Sequence, residues 1–409
     1  MISGALAVSG VCIVSIGVVF GPELPRLRSS PQHAEQQDQS VPINAPRSPE
    51  PISTWRPKGA FERQPPLLRL AYVHPDDPGG MASLQLHAEK LDAVILDCLE
   101  LTRAPDGVRL DSVKGCESHY SWLAESASRV KIYPMLSDTG MGGGPLAATL
   151  AVPQKRTALV EEITRFLGER KTAGIVIDTK LLPSMAHRNL VAFLYELRAK
   201  LASSNRSLIL MADMGLDSIH LQQLARTSDY IITDTYDQTA NKLEAGPVAA
   251  QGWLESRVSE IASKIDRSKL IIGIGSYGYE WKQGVKKHVS VQYVWDKVSL
   301  SAGQIRFDPH SLNPAFQYHS DNVRNEIWYL DAVTAFNQMR SALSVNPAGV
   351  AIWRMGLEDP GVWSFVKRDR FPDDEAILSL AQITAGIGAF TGVHGPLLAI
   401  GHERMANES

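Results

Sequence analysis

The chain reads as an α/β protein of the (β/α)8 or TIM-barrel class, with a small α+β insertion between strands 7 and 8. Three observations predict this. Eight short apolar runs alternate with amphipathic segments between Leu68 and about Lys367, and eight parallel strands are what close such a barrel. No Gly-x-Gly-x-x-Gly turn follows the first run, which argues against the competing doubly wound sheet with its nucleotide-binding turn. More than seventy residues separate the last two runs, far more than one crossover helix needs.

In chain order the predicted strands are Leu68–Val73, Ala93–Leu99, Val130–Leu136, Gly174–Asp178, Leu208–Ala212, Tyr230–Thr235, Leu270–Gly275 and Gly349–Trp353. Each is a β-branched or leucine-rich run of the kind buried on both faces in parallel sheets. Between them, segments such as Thr157–Arg170 and Asn189–Ala202 place apolar residues at helical spacing with charges opposite. In the long gap, Ser290–Trp295, Gly303–Phe307, Ala315–His319 and Glu326–Leu330 read as short antiparallel strands, giving an insertion over about 282–335 that walls one side of a groove.

The barrel domain is expected over residues 67–368, and the flanks differ from it in composition. Residues 2–20 carry no charged side chain and, at ~1.5 Å per residue, are just long enough for a membrane-crossing helix. Residues 1–21 are therefore expected to be a transmembrane anchor or signal segment. No basic stretch precedes the span and no Ala-x-Ala precedes Gly21-Pro22, which favours an uncleaved anchor. With a periplasmic or extracellular barrel this sits awkwardly beside Arg26 and Arg28, which follow the span and would by themselves hold the domain in the cytoplasm. Residues 22–66, rich in Pro, Gln and Ser, read as a disordered linker, and 369–409 as a C-terminal tail or linker.

A net charge of -3 without a long Lys/Arg run argues against nucleic acid as a partner. Cys12, Cys98 and Cys116 form no Cys-x-x-Cys and have no His at ligand spacing, so no metal site and no cofactor are expected. Spacing leaves a Cys98–Cys116 bridge open. The Gly142-Gly-Gly144 stretch lacks the Lys-Ser/Thr of a phosphate cradle and reads as a loop rim.

Chemistry concentrates at predicted strand ends. Lys171-Thr-Ala-Gly-Ile-Val-Ile-Asp178-Thr-Lys180 has the form of a buried strand delivering polar side chains to a barrel mouth. It resembles the Asp-Gly-x-Asp-x-Asp-x-Glu strand of the chitinase-like glycoside hydrolase family 18: Gly174 and Asp178 match, while Ala173, Val176 and Lys180 stand at the two other Asp positions and the terminal Glu. Asp234-Thr-Tyr236-Asp237 is similar to the family's Met-x-Tyr-Asp, Leu270 to Trp281 to its seventh strand with a Tyr-Gly-x-x-Trp continuation, and Gly349–Trp353 to its eighth. The resemblance covers about residues 68–368. It looks nearest to the family 18-like domains at the N-terminus of membrane proteins that also carry a polysaccharide deacetylase and a family 2 glycosyltransferase, through phrases such as Gly246-Pro-Val-Ala-Ala-Gln-Gly-Trp253 and Glu358-Asp-Pro-Gly-Val-Trp363.

That resemblance implies a β-linked N-acetylglucosamine-type polymer as ligand, deacetylase and glycosyltransferase proteins as partners, and a membrane-anchored location with the domain periplasmic or extracellular. In the family the sugar's own acetamide attacks the anomeric carbon, so Asp178 and Tyr236 would orient that group, and Trp353, Asp237, Tyr277 and Trp281 would line the substrate groove. Lys180 stands where the proton donor belongs. A lysine that stays protonated cannot both give and take the proton, so a degenerate site is expected, with Lys180 paired to Asp178. Asp213, Asp234 and Glu280 are the candidates for a relocated acid, and a vestigial groove in a protein-interaction domain is the third alternative. A cationic Lys180 is further expected to repel free amines, so that acetylated oligomers bind better than deacetylated ones.

Overall fold

A computed structural model describes residues 67–366, apart from 105–106, 138–143, 181, 213–217, 302–304 and 321. The expected anchor, linker and C-terminal tail, most of the Gly142–Gly144 loop, and Asp213 lie outside the described residues. Among the described residues no helix is long and apolar enough to cross a membrane.

The barrel begins with β1 (Leu68–Val73), α1 (Pro78–His87) and β2 (Ala93–Ala104), which turns back into an antiparallel partner, β3 (Gly107–Ser112). It continues through α2 (Cys116–Ser126), β4 (Lys131–Ser137), α3 (Pro145–Leu150), α4 (Pro153–Glu169), β5 (Gly174–Asp178), α5 (His187–Ala202), β6 (Ser207–Met211), α6 (Ser218–Thr227), β7 (Tyr230–Asp234), α7 (Gln251–Lys264) and β8 (Leu270–Gly275). After the insertion come α9 (Ala332–Leu343) and β14 (Gly349–Trp353). The parallel order β1-β14-β8-β7-β6-β5-β4-β2 is closed by pairing of β1 with β2. All eight predicted strands are present, four of them with the predicted ends and the others shifted mostly by a residue. The exception is β2, whose extension into the β2–β3 hairpin was not foreseen.

Alternation across each strand divides the core in two. Tyr72, Ile95, Met135, Val176, Ile209, Ile232 and Ala351 fill the barrel interior. Their strand neighbours, among them Ala71, Val94, Leu136, Ile175 and Ile231, face outward and pack under the helices in a larger cluster. A disulfide joins Cys98 of β2 to Cys116, the first residue of α2, and settles the pairing that spacing left open.

The insertion is a five-stranded antiparallel sheet in the order β10-β9-β13-β12-β11, built from β9 (Gly278–Lys282), β10 (Val285–Val289), β11 (Ile305–Asp308), β12 (Asn313–Ser320) and β13 (Val323–Tyr329). One predicted strand is wrong: Ser290–Trp295 opens the helix α8 (Val291–Ser301). Val291, Val294, Trp295 and Val298 recur at helical spacing and are all buried, while Ser290 Oγ accepts from the Tyr293 amide at 3.1 Å as an N-cap. Conversely the β9–β10 hairpin was missed. Its turn is Gln283-Gly284 with both residues at positive φ, 49° and 76°, the geometry that matches strand twist in a two-residue hairpin.

Candidate functional site

Side chains alternate along a strand, so the residue two beyond the last interior one emerges at the barrel's C-terminal mouth. Counting on from Tyr72, Ile95, Met135, Val176, Ile232 and Ala351 gives His74, Asp97, Ser137, Asp178, Asp234 and Trp353. The contacts agree. Ser137 Oγ donates to Asp97 Oδ1 at 2.9 Å, and His74 Nε2 lies 3.8 Å from Asp97 Oδ2. Lys180 Nζ lies 2.5 Å from Asp234 Oδ2 and 3.8 Å from Asp178 Oδ2, and the Lys180 amide donates to Asp178 Oδ1 at 3.0 Å. Tyr236 OH donates to Asp234 Oδ1 at 2.8 Å.

The pair expected between Lys180 and Asp178 is present at 3.8 Å, and a closer partner for Lys180 was not expected. Asp178 is bound mainly through the backbone, and the close ion pair is with Asp234 on β7, two strands away around the barrel. Asp234 occupies the position at which the family strand carries Met, so the cation at the acid position and an anion facing it occur together. Burial by itself would lower the Lys180 pKa, but Asp234 and then Asp178 outweigh it and hold the ammonium above its ordinary value. It is therefore a permanent cation at neutral pH. Asp178 is pushed up, chiefly by burial and only partly restrained by Lys180. Asp97 is pushed up by burial against the opposing Ser137 hydrogen bond and His74.

Aromatic side chains build one wall. Trp353 stacks on Tyr236 with centroids 5.9 Å apart and planes at 18°, and packs edge-on against Tyr72 at 4.9 Å. Gly273 makes room for this: a Cβ there would stand 3.1 Å from the Tyr236 ring and 3.2 Å from Asp234 Oδ1. Asp237 accepts from Tyr277 OH and, at 2.6 Å, from Tyr279 OH. Tyr277 is fully buried and Trp281 only 6% exposed, so these two back the wall from behind.

Glu280 is not at the mouth. On β9 it points away from Tyr279 and Trp281 toward Lys287 at 2.8 Å, Tyr293 at 3.1 Å and Tyr318. Burial works to raise its pKa, but the Lys287 and Tyr318 hydrogen bonds prevail and hold it below the ordinary value. This removes it from the relocated acids, while Asp234 is at the mouth. Sequence reasoning missed Asp97, His74 and Ser137; counting by twos from each strand's interior residues would have found them. Among the described residues no group of three or more His, Cys, Asp or Glu side chains is arranged to hold a metal ion.

Comparison with known proteins gives a consistent picture. The model of "Glycosyl hydrolases family 18" matches residues 82–358. The cortical fragment-lytic enzyme of Bacillus cereus is 22% identical over 264 residues, 59% of this chain and 61% of that one. The uncharacterized glycosylase YvbX of Bacillus subtilis is 25% identical over 153 residues, 36% of this chain and 44% of that one. The chain thus matches about half the length of these curated relatives. A chitinase of Chromobacterium violaceum superposes with a TM-score of 0.64 at 21% identity, covering 73% of this chain and 97% of that chain, which shows the shared barrel.

Proposed function

The chain belongs to glycosyl hydrolases family 18, and from that premise we propose that its barrel mouth binds a β-linked N-acetylglucosamine-type polysaccharide without hydrolysing it efficiently. The observation that carries this is the Lys180–Asp234 ion pair, 2.5 Å, standing where the family places its proton donor. A raised-pKa ammonium held between two carboxylates keeps its proton, whereas the reaction needs a group that gives one up and takes it back. Binding is supported by the Trp353–Tyr236 stack beside polar groups converging from several strands, the usual construction of a site for flat, hydroxyl-rich ligands. The names chitinase and cortical fragment-lytic enzyme, borne by similar proteins, favour an amino-sugar polymer. The Cys98–Cys116 disulfide supports an oxidising compartment, periplasmic or extracellular, with residues 1–21 as the tether. Deacetylase and glycosyltransferase proteins are the partners this reading names.

The test is release of a reporter group from a di- or tri-N-acetylglucosamine glycoside, alongside titration with the unmodified oligomers. The expected result is saturable binding with turnover at background, a loss on the order of 10²–10⁴ relative to a site with a working acid–base group. One observation favours a second reading, an active enzyme with a relocated acid: Asp234 and Asp97 are carboxylates at the mouth. Turnover that survives Lys180→Ala and disappears in Asp234→Asn or Asp97→Asn would establish that reading instead. No binding to any oligomer by a cooperatively melting protein would leave an interaction domain with a vestigial groove.

A further inference from the structure

We infer that the mouth selects the de-N-acetylated form of its amino sugar, an ammonium-bearing glucosamine unit, over the N-acetylated form. The inference rests on the proposal that this mouth binds an amino-sugar polymer, and it reverses the preference expected from Lys180 alone. Lys180 carries a positive charge but does not present it free: Asp234 at 2.5 Å and Asp178 at 3.8 Å both lie against its Nζ.

The remaining charge at the mouth is negative. Among the described residues five carboxylates gather there, Asp77, Asp97, Asp178, Asp234 and Asp237, against three cations. One cation is Lys180. Arg354 lies 3.5 Å from Asp77, and the Lys286 ammonium sits over the Tyr279 ring at 4.4 Å and hydrogen-bonds the Ala240 carbonyl. Among the described residues Asp97 has no lysine or arginine in hydrogen-bond or ion-pair contact: the Ser137 hydroxyl donates to it, an imidazole lies 3.8 Å away, and Arg354 and Lys180 act on it only from farther off. Its carboxylate remains 21% exposed, and that of Asp178 18%. These partly open acceptors lie in a recess where low dielectric strengthens charge interactions. A neutral acetamide can hydrogen-bond a carboxylate but cannot neutralise the excess charge. An ammonium supplies the missing cation, and the partly exposed Trp353 ring beside it adds the attraction of an aromatic ring for a cation.

The experiment is calorimetric titration of the full chain with N-acetylglucosamine tetramer and, in parallel, with the fully deacetylated tetramer at a pH where its amines are protonated. The deacetylated tetramer is expected to bind at least about fivefold tighter, with the preference shrinking between roughly 0.05 and 0.5 M salt. Asp97→Asn should remove most of the preference, and Trp353→Ala should weaken both ligands. Equal affinity, or tighter binding of the acetylated tetramer, would overturn the inference and leave the proposed binding function standing. Competition by spermine as effective as that by the deacetylated tetramer would also overturn it, since the site would then be reading charge and not sugar. Failure of both tetramers to bind a folded protein would instead sink the underlying proposal.

Discussion

Two lysine–carboxylate assemblies lie a few strands apart in this molecule and are built to opposite specifications. In the insertion, Glu280 is 3% exposed and receives Lys287, Tyr293 and Tyr318, so one carboxylate has three donors and its pKa falls. At the mouth, Lys180 is shared between Asp234 and Asp178, Asp97 has only weak neutralisation, and both Asp97 and Asp178 are pushed upward by burial. A buried charge supplied with donors by the protein itself is architecture. A cluster left short of donors is what a ligand can complete, at a standing cost to the fold.

The largest expected effect breaks the comparison at its structural end. Glu280→Ala removes the acceptor shared by two tyrosine hydroxyls and by Lys287, itself 54% exposed, at a 3%-exposed site and should destabilise the protein by about 2 kcal/mol, the usual cost of leaving buried donors unpaired. Glu280→Gln keeps acceptor capacity and should cost roughly 1 kcal/mol. Oligomer affinity should be unchanged in both, as measured by denaturant melts paired with titration. A loss of sugar affinity that exceeds the loss of stability would put Glu280 back among the site residues.

Next in size is the pH dependence, which should have opposite signs in the two regions. Glu280 has a folded pKa below its ordinary value of 4.5, so its contribution is present above that value and is lost as pH falls through the folded value. Asp97 and Asp178 have folded values above their ordinary 3.8. Between those values the folded chain binds more protons than the unfolded chain, and stability falls as pH rises through that window. Asp359, which burial and Asp331 push up to about 7, adds a slope of the same sign, so the informative quantity is the difference between variants. Asp97→Asn should flatten the decline that sets in as pH rises above the ordinary carboxylate value of 3.8. Glu280→Gln should flatten only the acid limb. Parallel curves for the two variants would show that the mouth is no more strained than the insertion.

Much of this contrast was legible in the sequence, and the illegible part has a physical pattern. The eight barrel strands are fixed by local composition, because a strand buried on both faces must be continuously apolar. Asp178, Lys180, Tyr236 and Trp353 could be placed at the mouth because each ends such a run. What failed was non-local or competing in period. Ser290–Trp295 contains enough β-branched and aromatic residues to pass for a strand, and only the four-residue recurrence through Val298 reveals the helix. Glu280 and Asp234 both follow apolar strands and look alike in sequence; one faces Tyr318 and the other Lys180 because β9 leaves the barrel to join the insertion sheet. The Lys180–Asp234 pair spans 54 residues, and nothing local joins a cation on one strand to an anion two strands on.

That pair gives the sharpest test. Lys180→Glu rebuilds the Asp-x-Glu ending of the family strand, yet it would set a new carboxylate against Asp178, Asp234 and, farther off, Asp97, with no cation between them. The single variant should therefore lose roughly 1–2 kcal/mol of stability to like-charge repulsion and gain no family-like turnover. Asp234→Met removes the facing anion and restores the Met of the family strand. Alone it leaves Lys180 with Asp178 at 3.8 Å, a weaker arrangement but not an unpaired one. Combined with Lys180→Glu it relieves the repulsion, so the double variant should be more stable than the sum of the singles predicts, with a coupling of about 1 kcal/mol measured in a double-mutant cycle. Independent effects would mean that the two substitutions are unrelated. Turnover by Lys180→Glu alone would mean that the mouth tolerates four clustered carboxylates, and that only the terminal Glu of the family strand had been lost.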